Sequence, residues 1–94
     1  MTELIRTLPI THKFGLHARA STRFVELAQS FDSDIGVMRG ADLSAPWANG
    51  KSVLEILTLG IQLGDDITLR AAGADADRAM EALAELVEAD FGGV

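Results

Sequence analysis

The apolar positions change spacing along the chain, and each change marks an element. Leu4, Ile5, Leu8 and Ile10 form a short extended segment, with Pro9 fitting best near its end. Ala20, Phe24, Leu27, Ala28 and Phe31 then recur at helical spacing. Phe31-Asp32-Ser33-Asp34 breaks that pattern with turn formers, and Ile35-Gly36-Val37-Met38-Arg39 reads as a strand. A Gly40-Ala41-Asp42 turn leads into a second short strand, Leu43 to Ala48, which Pro46 marks as irregular or at an edge. Together they suggest a hairpin, with Trp47 packed structurally at the sheet margin.

Asn49-Gly50 is a strong turn signal. Ser52-Val53-Leu54-Glu55 has the form of a capping box, a serine N-cap with glutamate three residues on. Val53, Leu54, Ile56, Leu57 and Ile61 make the helix that follows apolar on more than one face, and Gly60 is a plausible C-cap. After a Gly64-Asp65 turn, Asp66 to Ala71 alternates, with Ile67, Leu69 and Ala71 turned inward. Asp75 is expected to cap the last helix, with Asp77 in its first turn. Ala79, Met80, Leu83, Leu86, Val87 and Phe91 form its buried stripe, and Gly92-Gly93 ends it. The order βαββαβα predicts an α+β fold: one four-stranded, mainly antiparallel sheet with three helices on one face. No repeat, linker or low-complexity run interrupts it, so one domain over residues 1–94 is expected.

Composition narrows the function classes. The chain is 48% hydrophobic and 23% charged, which fits a globular core rather than disorder. It has no cysteine, excluding disulfides, thiolate metal sites and a cysteine nucleophile. No stretch reads as a membrane span or secretory signal, so a cytoplasmic monomer is expected. Eight basic against 14 acidic residues give a net charge of −6, which disfavours nucleic acid as a partner. Six of the eight bases (Arg6, Lys13, Arg19, Arg23, Arg39 and Lys51) lie in the first 51 positions. A phosphate or an acidic partner is therefore expected on the N-terminal half.

The chemistry concentrates at Gly15-Leu16-His17-Ala18-Arg19-Ala20-Ser21, where the first strand joins the first helix. His17 falls where the helix opens, beside unpaired N–H groups and the positive end of the dipole. Such a place binds phosphate. A histidine there can act as a nucleophile whose phosphorylated product is held as it forms, with Arg19 as a second cationic donor. Ser21 and Thr22 offer hydroxyls, for which capping or exposure is the simpler reading. His12, the second histidine, is expected to be a surface loop residue near the site. Two histidines without cysteine or clustered acids do not make a metal site. Nothing supplies a second acid–base group for a hydrolase.

Two blocks resemble the HPr family, the histidine-containing phosphocarriers of the bacterial phosphotransferase system. Gly15-Leu16-His17-Ala18-Arg19 is similar to the family's active-site motif. Asn49-Gly50-Lys51-Ser52-Val53-Leu54, followed by Leu59-Gly60-Ile61, is similar to its second motif. The resemblance covers nearly the whole chain and implies an open-faced β-sandwich of the same βαββαβα order. It implies that enzyme I, charged from phosphoenolpyruvate, phosphorylates His17 on Nδ1, that Arg19 helps hold the group, and that a IIA-type protein receives it. No cofactor is implied. Ser52 falls on the serine that an HPr kinase/phosphorylase modifies in many members, besides being an N-cap. Arg23, Lys51, Val53, Leu54 and Leu57 are the partner-binding candidates, although Leu57 fits a core position better. Ala20 stands where the family commonly has proline. Glu26 and Gln29 stand where many members have lysine, and with Phe91-Gly92-Gly93 they resemble the nitrogen-related branch; the Lys51-Ser52 block looks like the sugar-transport branch. A non-transferring regulatory domain controlled through Ser52 is the alternative, and the intact His17–Arg19 pair argues against it.

Overall fold

The computed structural model describes residues 2–94. The elements run β1 (Thr2–Pro9), α1 (Ala18–Gln29), β2 (Asp34–Arg39), β3 (Ala48–Asn49), α2 (Val53–Thr58), β4 (Asp66–Gly73) and α3 (Ala76–Glu88), with a closing turn at Asp90–Gly93. The sheet order is β1-β4-β2-β3 and every pairing is antiparallel. Pro9 ends β1, where its missing N–H costs no ladder bond.

Register sorts the two faces. Leu8 pairs with Ile67, Leu4 and Ile35 with Ala71, and Val37 with Leu69, so these side chains share one face. Phe24, Val25, Ala79, Leu83 and Val87 from the helices close over them in one core cluster. The opposite face presents Thr7, Met38 and Thr68. Thr7 and Thr68 share a hydroxyl contact of 2.8 Å, and Thr68 also donates to the Gly40 carbonyl. The architecture is the open-faced α+β sandwich expected from the sequence.

Several local expectations fail for physical reasons. The strand expected over Leu43 to Ala48 is reduced to Ala48–Asn49. Asp42 instead accepts from Ser44 N–H and hydroxyl and turns the segment, with Leu43 exposed. Trp47 does lie at the sheet margin, its ring over Gly36 where a Cβ would come within 3.1 Å. Asp75 stands at the N-cap of α3 as expected, but its side chain does not cap the helix; its carboxylate accepts from Asp32 N–H and Ser33 N–H, both 2.9 Å, and from the Ser33 hydroxyl. Those donors, the hydroxyl first, lower its pKa to about 2. Only half of the capping box forms: Ser52 Oγ accepts from Glu55 N–H, whereas Glu55 accepts from Asn49 N–H. Phe91 is buried as expected, though beyond the end of α3. Asp90, Phe91, Gly92 and Gly93 all have positive φ, forming a left-handed turn. Among the described residues no helix is long and apolar enough to cross a membrane.

Candidate functional site

Backbone packing places the β1–α1 loop. Gly15 has φ +62°, and a Cβ there would lie 2.5 Å from the Ile61 oxygen. Leu16 N–H donates to that same oxygen at 3.0 Å. The partner loop is fixed in turn: Asp65 accepts from Gln62 N–H at 2.8 Å and pairs with Arg39 at 3.1 Å, which keeps its carboxyl below the ordinary range. The two motif blocks thus meet at Gly15 and Ile61 through main-chain contacts.

His17 is the N-cap of α1, with extended backbone, and makes no side-chain cap. Its oxygen accepts from Ser21 N–H at 2.8 Å, which starts the helix. The first-turn N–H groups are left without a capping side chain, so the helix end can receive an anion. Ser21 is buried and donates to Leu16 O, whereas Thr22 is exposed and donates to Ala18 O.

The His17 ring is half-buried among aromatic neighbours and the end of the chain. Its Nε2 lies 3.3 Å from the main-chain oxygen of Val94, and the Phe14 ring meets it edge-on at 6.2 Å. Its Nδ1 has no hydrogen-bond partner among the described residues. His12 lies near the site as expected, its ring 4.9 Å from that of His17, but it is not a surface residue, being only 9% exposed. The Phe14 N–H donates to His12 Nδ1, and His12 Nε2 bonds the Val94 oxygen. Thr11 and Asp90 join the same two segments by a 2.7 Å hydrogen bond.

Arg19 and Arg23 line an open depression of about 550 Å³ beside Val94, together with Thr22 and Glu26. Among the described residues, the ion pairs use Arg6, Arg39 and Arg70, so neither arginine is neutralised by a carboxylate. Lys51 is placed differently, with its ammonium on the Phe31 carbonyl at 2.7 Å. On α2 only Ile56 is buried; Leu54 is 75% and Leu57 39% exposed, so Leu57 is not a core residue. Val53 is half-buried against the core. Phe14, 66% exposed, adds an apolar surface beside His17 that the sequence reading missed. Its signal was an aromatic residue in a short polar loop directly before the glycine.

A family model described as the PTS HPr component phosphorylation site matches residues 5–89. The chain belongs to the HPr family. Phosphocarrier protein NPr of Shewanella violacea is 43% identical over 91 residues, covering 97% of this chain and 96% of its own length. Phosphocarrier protein HPr of Neisseria meningitidis serogroup A is 37% identical over 89 residues, covering 95% and 96%. The solved structure of HPr-C-His from Thermoanaerobacter tengcongensis superposes with a TM-score of 0.82 at 39% identity, covering 98% of this chain and 97% of that one. HPr from Bacillus anthracis gives 0.81 at 33% identity, covering 93% and 99%. Membership of the HPr family supports a phosphotransfer role within the phosphotransferase system, as a carrier rather than a stand-alone catalyst.

Proposed function

We propose that the chain is a one-domain phosphocarrier in which His17 accepts a phosphoryl group from phospho-enzyme I and passes it to a IIA-type protein. The His17 ring carries this reading: Nε2 is engaged by Val94 while Nδ1 has no partner among the described residues, at a helix end without a side-chain cap. A phosphoryl group on Nδ1 gains from the first-turn N–H groups and from Arg19 and Arg23, which form no ion pair among the described residues. The ring is half-exposed, so the group stays within reach of the next acceptor. Phe14, Leu54 and Leu57 offer apolar contact to both partners, and their exposure suits docking. Ser52 is a second, regulatory site for an HPr kinase/phosphorylase: it is half-exposed, two residues from Leu54, and a phosphate there adds charge where partners dock.

The test is incubation with phosphoenolpyruvate and enzyme I, read as intact mass before and after brief acid treatment. The expected result is an acid-labile gain of one phosphoryl group, about 80 Da for the modification concerned, that is lost in His17→Ala. No gain with an enzyme I that charges another carrier rejects the proposal.

A further inference from the structure

His12 is buried, unassigned and in ring contact with His17, and its hydrogen bonds are determinate. A neutral imidazole carries one N–H and one lone pair. The Phe14 N–H points at His12 Nδ1 from 3.1 Å, so Nδ1 is the acceptor and Nε2 carries the proton. That Nε2–H donates to the Val94 oxygen. The oxygen has a second lone pair, and His17 Nε2 lies 3.3 Å from it. A hydrogen bond there requires the proton of His17 to reside on Nε2, leaving the lone pair on Nδ1.

We infer that His12 is a positioning residue for phosphotransfer: it fixes the Val94 oxygen that keeps the His17 proton on Nε2 and so selects Nδ1 as the nucleophile. This rests on His17 being the acceptor. The Nδ1 lone pair forms the new N–P bond while the donor–phosphorus bond breaks, its electron pair returning to the donor. No proton leaves His17; the ring, now bearing N–P and Nε2–H, becomes cationic. The hydrogen bond to Val94 is then charge-assisted and strengthens as the group arrives. Without His12 the oxygen has one anchor fewer, and the Nδ1–H tautomer, which cannot accept the group at Nδ1, gains population.

The chain itself, labelled with ¹⁵N, provides the test. Ring-nitrogen shifts measured well above pH 7 should show His17 predominantly as Nε2–H. His12→Phe keeps a buried ring but removes the donor; it should shift His17 toward Nδ1–H and slow phosphorylation by enzyme I on the order of tenfold. His12→Gln, whose amide nitrogen reaches the position of Nε2, should restore both. Wild-type His17 in the Nδ1–H form overturns the inference without any variant. So does a folded His12→Phe protein with unchanged tautomer and rate. Absence of phosphorylation in the wild type strikes the carrier reading instead, and leaves the tautomer measurement standing.

Discussion

Gly15 and Gly60 share a φ of +62° but not the same surroundings. A Cβ at Gly60 meets nothing within 4 Å, so Gly60→Ala should cost only the left-handed penalty of about 1 kcal/mol. At Gly15 the added carbon also strikes the Ile61 oxygen and the Gln62 Cα at 2.7 Å, both main chain. Gly15→Ala should therefore lose at least about 1 kcal/mol more than Gly60→Ala in urea unfolding; equal losses would mean the loop contact is dispensable. The sequence showed that Gly15 precedes the histidine but not what it touches. At the same scale the burial of His12 was not legible, because it comes from Val94 and Phe91, some eighty residues away. No local pattern encodes that return.

α2 shows how far periodicity reaches. Six residues with apolar side chains all round do not say which side faces the core. The helix has one deep anchor, Ile56, and its two leucines, Leu54 and Leu57, stay outside. By contrast α1, α3 and β4 have a single apolar face or a strict alternation, and their inward residues were legible. A helix this short depends on its end. Ser52→Ala should lower stability by about 1 kcal/mol through loss of the bond to Glu55 N–H. Ser52→Asp should keep stability near that of the wild type, since aspartate caps equally well. Matching denaturation midpoints for Ser52→Ala and the wild type would show that the cap contributes nothing. The reciprocal half of the box was not legible, because Glu55 is drawn to Asn49 by the turn that precedes the helix.

Across the whole molecule, Asp75 ties the turn between α1 and β2 to the start of α3 through three hydrogen bonds to residues 32 and 33. Folding lowers its pKa to about 2, from roughly 3.9 for an unperturbed aspartate. Its contribution is therefore complete above about pH 4 and is lost as the pH falls through about 2. Asp75→Asn should melt below the wild type at pH 7, and the gap in melting temperature should narrow between pH 4 and pH 2. Parallel curves across that range would reject the assignment. Element order and most of the core were readable from the sequence, and the sheet was except for its edge strand at Ala48–Asn49 and its strand order; the long-range polar ties were not, since a serine or aspartate in a turn has many possible partners and only the fold chooses one.

The left-handed turn at Asp90–Gly93 has an energetic consequence. Two consecutive non-glycine residues at positive φ cost about 1–2 kcal/mol each. Burial of Phe91 returns roughly 1.5–3 kcal/mol, and the hydrogen bonds of Asp90 to Thr11 and of Val94 to His12 and His17 about 1 each. The net is about 2 kcal/mol in favour of the closed turn, still less than the cooperative stability of a folded domain. The turn is thus a local opening unit that detaches while sheet and helices remain intact. The Val94 oxygen travels with it, and the polarity around the His17 ring becomes a function of temperature well below the melting point.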